Sequence, residues 1–415
     1  MKAIIVGAGP GGLTAAMFLH RNGWDVDIYE STAKIEPLGV GINLLPHGAR
    51  ELEVLGLADE LASIGIQTRS LEYRTKYGHL IYSDPRGKYA GFDFPSYSIH
   101  RGQLQLLLLN TFKERAGEHK VHTSCHFDRF EEDADGVTAY FVDPKTKTSI
   151  AEVRGDILIG ADGVHSAVRK TFYSNEGPPR YEGLMMWRGA VERDPYLDGE
   201  TMFVAGDHNI KAVVYPMSEA SRRNGKSLVN WVAEVRDGNA RPLNPNDWTR
   251  QGTRDFIENY RDFKFDFIDL PELFSQTETI YEYPMIDRDP LERWSFGRVT
   301  LMGDAAHAML PIGANGTSQA ILDARALTDS VQDTDDMVVA LKNYEDLRLG
   351  PTTKVVESNR KYDSENYLDI VADRLQSPDD KMEDLIAPTE IDAITEKYRK
   401  IAGFQVKALN EKGLN

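Results

Sequence analysis

Short apolar runs that end at a glycine recur three times along this chain. They span residues 2–6, 157–160 and 299–302. Uninterrupted apolar runs of this length are typical of parallel strands that are buried on both faces. After the first run, residues 13–22 have apolar positions at helical spacing, Gly23 can end that helix, and residues 26–29 form the next apolar run. The pattern predicts a βαβ unit at the start of the chain, with later strands joining the same sheet.

A second pattern, alternation with a period of two, dominates the middle of the chain. In residues 184–235 apolar and polar positions alternate, as in Val229, Trp231 and Ala233 against Asn230 and Glu234. This pattern predicts antiparallel strands with one well buried face, and residues 71–82 share it. Helical spacing is found over residues 48–63, 102–115, 317–329 and 337–375. The tail from about residue 378 is rich in acidic residues, which predicts a solvated, partly helical cover.

Composition narrows the class of protein. Hydrophobic residues make up 41% and charged residues 27% of the 415 positions, as in a globular protein with two or three domains. The formal net charge of −17 disfavours binding to nucleic acid or to an anionic membrane. Cys125 is the only cysteine, so no intramolecular disulfide can form. No apolar run is long enough to span a bilayer, and the first strand begins at once. We therefore expect a cytoplasmic protein.

The first strand leads into a dinucleotide-type glycine motif. Gly7, Gly9 and Gly12 have G-x-G-x-x-G spacing between a predicted strand and a predicted helix. The first glycine permits the tight turn, the second allows close approach of a pyrophosphate, and the third lets helix and strand pack closely. Glu30 follows at the end of the second strand, where a carboxylate can accept hydrogen bonds from ribose hydroxyls. This spacing predicts a nucleotide site.

A second glycine-rich element follows the third apolar run. Gly303 and Asp304 end that run, and an aspartate there can bind polyol hydroxyls such as those of a flavin ribitol. The loop 311–316 then opens a helix, and its N–H groups can face the N1/O2 edge of an isoalloxazine ring. Two nucleotide elements so far apart indicate FAD bound along its length. We interpret His307, one turn after the aspartate, as structural.

A third bend follows the middle apolar run. Asp162 lies between Gly160 and Gly163 directly after residues 157–159. Glycines beside an aspartate allow a sharp bend near a bound ligand, although an ordinary loop has the same pattern.

Together these motifs resemble the single-component FAD monooxygenases related to 4-hydroxybenzoate and salicylate hydroxylase, over about residues 1–370. Arg101, in the sequence His-Arg-Gly-Gln-Leu, matches the family arginine that reaches the flavin and its pyrophosphate. The expected cofactor-binding residues are Gly7, Gly9, Gly12, Glu30, Arg101, Cys125, Asp162, Gly163, Asp304, Gly313, Asn315 and Gly316.

The resemblance implies a fold and a reaction. The fold is α/β: a Rossmann-like FAD-binding domain of the glutathione-reductase type is interleaved with a β-sheet-rich substrate domain and followed by C-terminal helices. The expected boundaries are 1–70, 100–178 and 285–350 for the FAD-binding domain, 71–99 and 179–284 for the substrate domain, and 351–415 for the helical segment. NADH or NADPH reduces FAD, O2 gives a C4a-hydroperoxide, and an electron-rich aromatic ring is hydroxylated. No metal is required, and monomer and homodimer both remain open.

Several segments resemble the phenazine-type branch of this family more closely. They are residues 37–43, 97–102, 186–189, 226–231 and 313–316. Most of the family has Gly-Gln-Gly where this chain has Gly313, Ala314 and Asn315. This departure favours the phenazine-type branch, but substrate pockets diverge quickly on one scaffold. Phenazines, hydroxybenzoates, aminobenzoates and pyridine carboxylates all remain possible substrates.

The substrate pocket is expected between the β-rich segments and the loop 311–316. The candidate residues are Trp187, Tyr215 and Pro311. Tyr215 can orient a hydroxyl or carboxylate, although an aromatic residue of the sheet core is an equally good interpretation. Arg188 can bind a carboxylate or form a structural ion pair, and we favour the ion pair.

Two other classes of function fit the same motifs. One is another flavoenzyme on this fold, such as an epoxidase or a halogenase, although the halogenase Trp-x-Trp-x-Ile-Pro signature is absent. The other is a flavin-binding sensor without turnover. Because no Ser-His-Asp, Cys-His or metal-ligand constellation is present, we assign no catalytic side chain and expect the protein to position the flavin and the substrate.

Overall fold

A computed structural model gives the fold, and it describes residues 1–37, 40–237 and 250–414. Residues 38–39, part of one segment that resembles the phenazine-type branch, and residues 238–249 of the expected substrate domain lie outside the described residues. None of the described helices is both long and apolar enough to cross a lipid bilayer.

The strands account for two large and two small sheets. In chain order they are β1 (Lys2–Val6), β2 (Asp25–Tyr29), β3 (Gly41–Leu44), β4 (Ile66–Gln67), β5 (Ser70–Arg74), β6 (Leu80–Pro85), β7 (Tyr97–His100), β8 (Val121–His122), β9 (His126–Glu132), β10 (Val137–Val142), β11 (Ser149–Gly155), β12 (Ile157–Gly160), β13 (Arg180–Arg193), β14 (Met202–Gly206), β15 (Ile210–Pro216), β16 (Ser227–Arg236), β17 (Tyr281–Asp287), β18 (Ser295–Phe296) and β19 (Val299–Leu301).

The helices pack around these sheets. They are α1 (Pro10–Arg21), α2 (Pro46–Val54), α3 (Ala58–Ile64), α4 (Arg101–Ala116), α5 (Ala167–Phe172), α6 (Glu219–Arg223), α7 (Leu270–Gln276), α8 (Asp304–His307), α9 (Gly316–Gln332), α10 (Met337–Arg360), α11 (Tyr367–Arg374), α12 (Met382–Leu385), α13 (Pro388–Ala402) and α14 (Val406–Lys412). Short 3₁₀ turns span Gly87–Ala90, Glu118–Lys120, Asp255–Tyr260 and Ile312–Ala314.

The first large sheet contains the three glycine-ending runs. Its strand order is β18-β19-β12-β1-β2-β8, and β1 lies between β2 and β12 with parallel pairing on both sides. Strand β19 adds to β12, also in parallel. The central strands are buried on both faces, because both α1 and the sheet β11-β10-β9 pack against them. This arrangement confirms the predicted Rossmann-like part of the α/β fold and brings all three glycine turns to one sheet edge.

The second large sheet is mostly antiparallel. Its order is β17-β13-β16-β15-β14-β5-β6. Strand β5, from early in the chain, pairs in parallel with β14, so two distant segments complete one sheet. One face packs on a core that includes Trp231, Phe256 and Phe274. The period-two pattern of residues 184–235 therefore predicted the strands and their buried face. Two further three-stranded sheets have the orders β11-β10-β9 and β3-β7-β4.

Two predicted helices are in fact interrupted. Residues 48–63 form α2 and α3, because Gly56 takes a φ of 77° and the backbone N–H of Leu57 returns to the Leu52 carbonyl. Residues 337–375 likewise divide into α10, which ends at Arg360, and α11, which begins at Tyr367.

The tail after residue 378 is more than a solvated cover. Tyr398, Phe404 and Leu409 are buried and pack with Leu45 and Phe92 in one apolar cluster. The many acidic residues of this tail obscured the apolar positions between them. Through this cluster Tyr398 is placed against the glycine-rich loop 311–316.

Candidate functional site

A cavity of about 360 Å³ lies between the edge of the first sheet and one face of the second. This volume is in the range of small-molecule sites. Its wall includes the glycine motif, the Asp304 turn, the loop 311–316 and residues of β13 to β16. The sequence-predicted residues on the wall are Gly9, Gly12, Arg101, Gly163, Tyr215, Asp304, Pro311, Gly313 and Gly316.

The glycine motif has the geometry that its sequence predicts. Gly7 follows β1 with a φ of 106°, and a side chain there would overlap the Ala161 carbonyl. A Cβ on Gly12 would overlap the Gly7 carbonyl, so the third glycine does permit close packing. Beside Gly9 there is open space on the cavity wall. Helix α1 starts at Pro10, so its first N–H groups and positive dipole end point towards that space.

Glu30 and Cys125 lie beside this motif but off the cavity wall. The Glu30 carboxylate accepts hydrogen bonds from the backbone N–H of Ala8 at 2.9 Å and of Thr32 at 2.8 Å. The Cys125 backbone N–H donates to the Glu30 carbonyl at 2.8 Å, and burial raises the pKa of its thiol. Both residues are therefore placed at the outer side of the β1–α1 turn, where a nucleotide ribose lies in this type of fold.

Asp162 and Gly163 have different positions. The Asp162 carboxylate accepts hydrogen bonds from the Ser166 hydroxyl at 2.5 Å and from the Ala167 N–H at 2.7 Å. It therefore holds the start of α5 and is not on the cavity wall. Burial raises the pKa of this carboxyl group. Gly163, with a φ of 80°, does line the cavity and has open space beside it.

Asp304 and Arg101 place two opposite charges on the cavity wall. The Asp304 side chain is exposed to the cavity at the start of α8, and enclosure by the protein raises its pKa. Arg101, at the start of α4, is also exposed to the cavity, and enclosure lowers its pKa while Asp304 opposes that shift. A carboxylate acceptor and a guanidinium donor on one wall suit a ligand with both hydroxyl and phosphate groups.

The sequence analysis missed Asp323, the residue that fixes the Asp304 turn. Its buried carboxylate accepts hydrogen bonds from the Gly303 N–H at 3.0 Å, from His307 Nε2 at 2.5 Å and from Arg348 Nε at 2.7 Å. Burial alone would raise the pKa of Asp323, but His307 and Arg348 outweigh it and lower the pKa to about 2. His307 is thus a buried partner of this carboxylate, in agreement with the predicted structural role.

The loop 311–316 is held from outside by the C-terminal segment. Asn315 is fully buried, and its Nδ2 donates to the Tyr398 hydroxyl at 2.8 Å rather than reaching the cavity. That hydroxyl donates in turn to Asn359 Oδ1 at 3.1 Å. Gly313 has a φ of 68°, and any side chain there would collide with the Tyr398 ring. Gly313, and Asn315 where this chain departs from the family pattern, are therefore both fitted to Tyr398.

The second sheet contributes polar groups to the opposite wall. Arg188 Nη2 donates to the Gly41 carbonyl at 2.6 Å, and its buried Nε has no hydrogen-bond partner among the described residues. Tyr215 contacts Arg188 and lies against Gly41. Burial raises the pKa of Tyr215 to about 12, so its phenol is neutral and can donate near neutral pH. Among the described residues Arg188 forms none of the favoured ion pairs, and its bonded acceptor is a backbone carbonyl.

The expectation that Trp187 lines the pocket is corrected. On β13, Met186 and Arg188 face the cavity, so Trp187 faces the other side of the sheet. There it stacks on Phe256 at 4.9 Å between ring centroids. Alternation along the strand could have excluded Trp187 once Arg188 was placed in the pocket.

These residues fit FAD. Open space beside Gly9, Gly163 and Gly316 leaves backbone accessible on the cavity wall, which is what close approach of a pyrophosphate and a flavin requires. Asp304 and Arg101 can provide an acceptor for ribitol hydroxyls and a donor for phosphate. The loop 311–316 ends at the start of α9, whose first N–H groups can face an anionic ring edge.

Comparison with known proteins agrees with this site. The model of the FAD binding domain family matches residues 1–333. The phenazine 1,6-dicarboxylic acid hydroxylase PhzS of Lysobacter antibioticus is 41% identical over 401 residues, covering 96% of each chain. The 3-amino-4-hydroxybenzoate 2-monooxygenase of Streptomyces cremeus is 30% identical over 379 residues, or 89% of this chain and 88% of that one. Crystalline HpxO from Klebsiella pneumoniae, a variant complexed with FAD, has a TM-score of 0.72, 25% identity, and coverage of 99% and 97%.

The fold and the site define an FAD-binding oxidoreductase, and the chain belongs to the FAD binding domain family of flavoprotein monooxygenases. Within it, the protein is an FAD-dependent enzyme that hydroxylates aromatic substrates. Use of NAD(P)H is typical of this family. The comparisons do not favour an epoxidase, a halogenase or a non-catalytic flavin sensor.

Proposed function

We propose that the enzyme uses NAD(P)H and O2 to hydroxylate a planar, fused heteroaromatic carboxylate of the phenazine type. The observation that carries the proposal is the cavity, which joins the FAD wall to an apolar strip of sheet with Arg188 and Tyr215 beside it. The 41% identity to the phenazine 1,6-dicarboxylic acid hydroxylase PhzS over almost the whole chain supports the phenazine class of substrate.

The roles of the protein groups follow from their positions. FAD, when bound, supplies the redox chemistry that links NAD(P)H oxidation to oxygen transfer. The Arg188 guanidinium, which lines the cavity, can bind a substrate carboxylate, and the neutral Tyr215 hydroxyl can donate a second hydrogen bond to it. Met186, Val213 and Val232 provide apolar contact with the ring faces and exclude water. No side chain needs to act as a nucleophile.

The proposal also includes the cofactor contacts, the domain boundaries, the cellular location and the oligomeric state. For the cofactor we retain the glycine motif, Glu30, Arg101, Asp304 and the loop 311–316 as contacts. Asp162, Asn315 and Cys125 act through the backbone or by supporting neighbours. We also retain the three-part division of the chain at the predicted boundaries, a cytoplasmic location, and a monomer or homodimer.

The test is a panel of aromatic acids added to the FAD-loaded enzyme with NADH or NADPH. It contains phenazine-1-carboxylate, 4-hydroxybenzoate, an aminobenzoate and a pyridine carboxylate. We expect phenazine-1-carboxylate to accelerate NAD(P)H oxidation most and its product to gain one oxygen by mass. If a compound accelerated NAD(P)H oxidation but its product gained no oxygen, that compound would be an effector and not a substrate. If the enzyme hydroxylated a single-ring acid faster than phenazine-1-carboxylate, the phenazine class would be refuted.

A further inference from the structure

On the cavity-facing side of the second large sheet, β15 and β16 form three cross-strand pairs of residues, which we call rows. The paired positions are Tyr215 with Asn230, Val213 with Val232, and Lys211 with Glu234. All of them except Asn230 line the cavity. The first and third rows lie four residues apart, which is about 13 Å along an extended strand. This floor is therefore polar at both ends and apolar between them, as an elongated planar ligand with a polar group at each end would require.

The third row forms a charged cluster. Lys211 Nζ lies 3.2 Å from Glu234 Oε2 and also contacts the carboxylate of Glu365, which precedes α11. All three residues are buried and line the cavity. Burial alone would lower the pKa of Lys211, but the two carboxylates outweigh it and raise that pKa, so the ammonium stays charged. We call Lys211, Glu234 and Glu365 the distal subsite.

Acceptors outnumber donors in the distal subsite. Lys211 has three N–H donors, whereas two carboxylates present four oxygens with several lone pairs. The lysine charge is already used by its two partners. A hydroxyl or amino group entering this end finds an acceptor, whereas another carboxylate meets the negative charge of Glu234 and Glu365, with which Lys211 is already paired.

We propose that the distal subsite selects substrates by the substituent on the ring remote from the bound carboxylate. It accepts a hydrogen-bond donor there and rejects a second carboxylate. This inference rests on the proposed function, because it assumes a fused carboxylated ring with its first carboxylate at Arg188.

The experiment measures binding to the oxidised, FAD-loaded enzyme without turnover. Three phenazine-1-carboxylates that carry hydrogen, hydroxyl or carboxylate at position 6 are titrated, and the change in flavin absorbance gives each Kd. We expect the hydroxyl compound to bind tightest and the dicarboxylate at least tenfold more weakly than the unsubstituted acid. A dicarboxylate that binds as tightly as the unsubstituted acid would overturn the inference.

Two variants assign the effect to the cluster. Glu234→Gln and Glu365→Gln each remove one negative charge at constant size, so each should reduce discrimination against the dicarboxylate at least threefold. Glu72→Gln is the matched control, because Glu72 pairs with Arg74 on β5 of the same sheet but alternates with the cavity-lining Leu71 and Tyr73. It should leave discrimination unchanged.

The outcomes separate the two proposals. If Glu234→Gln does not fold, Glu365→Gln carries the test, because Glu365 lies outside the sheet. Unchanged discrimination in a folded Glu365→Gln enzyme would refute the role of the distal subsite. If none of the three phenazines perturbs the flavin while another aromatic acid does, the proposed substrate class fails and this inference fails with it. Binding of all three without dependence on charge contradicts the inference alone.

Discussion

At the scale of single residues, the flavin site depends on side chains that do not touch its cavity. The sequence motif identified Asp304, but the turn that presents it is held by Asp323, which lies one helix later. No local pattern marks a buried aspartate in α9, because its partners Gly303, His307 and Arg348 converge only in three dimensions. Glycine positions could be predicted because they obey local backbone geometry, whereas this network could not.

Asp304→Ala tests the ribitol assignment. Removal of a charged acceptor on the cavity wall should cost about 1.5–3 kcal/mol of binding, which is roughly 10- to 100-fold in the Kd for FAD. The measurement is fluorescence titration of the apoprotein with FAD. Asp346→Ala, at a solvent-exposed position paired with Lys342 on α10, serves as the control and should bind FAD as the parent does. Equal affinity in Asp304→Ala would remove this residue from the flavin site.

Asp323 should impose a pH dependence on stability. Its pKa of about 2 in the folded state lies below the ordinary 3.8, so it stabilises the fold above about pH 4, and this contribution is lost as the pH falls from 4 towards 2. The contribution is on the order of 2 kcal/mol. Asp323→Asn should therefore be less stable to urea near pH 7, and its deficit should shrink near pH 3. A deficit that is independent of pH would contradict the charge-based explanation.

At the scale of elements, helix α13 and the loop before α9 form one unit. Tyr398 on α13 holds Asn315, and Gln319 at the start of α9 donates to the Ala402 carbonyl at 3.2 Å. The periodicity of the sequence located α1, α4, α9 and α10, yet it did not show that the tail and the loop meet. Contacts between elements depend on side-chain fit across the fold, which a one-dimensional pattern does not contain.

Tyr398→Phe should loosen the loop 311–316. Loss of the hydroxyl leaves the buried amides of Asn315 and Asn359 short of a partner, at a cost of about 1–3 kcal/mol. Tyr196→Phe is the matched control, since its buried hydroxyl also makes two hydrogen bonds but lies in the second sheet's core. Both variants should lower the Tm, but only Tyr398→Phe should weaken FAD binding and change the visible flavin spectrum. If Tyr196→Phe weakened FAD binding as much as Tyr398→Phe does, the contribution of Tyr398 would be one of general stability only.

At the scale of the whole molecule, the two large sheets share the cavity although their strands alternate along the chain. Strands β5 and β6 come early in the chain, between strands of other sheets, and complete the second large sheet beside β14. The sequence predicted this interleaving from the change between uninterrupted and alternating apolar runs. It placed Tyr215 in the cavity but also Trp187, because which face of β13 turns inward depends on the packing of Trp187 against Phe256.

Because both sheets form the cavity, an aromatic ligand should stabilise only the complete enzyme. A ligand at about 100 times its Kd adds about 2.7 kcal/mol to the free energy of unfolding. Thermal scans with phenazine-1-carboxylate should therefore raise the Tm of the FAD-loaded protein by several degrees. The apoprotein lacks the flavin wall and should shift much less. Equal shifts in both forms would show that the ligand binds elsewhere.

The contact between Tyr398 and the loop 311–316 has a consequence for folding during translation. Tyr398 is 83 residues later in the chain than Asn315. At about 5–20 residues per second of synthesis, the loop exists on the order of 4 to 17 seconds before its anchor. During translation the glycine motif and Asp304 are ready first, and the loop receives its support last. Capture of FAD on the ribosome would therefore begin at the nucleotide half, and the ring end would be secured only near the completion of α13.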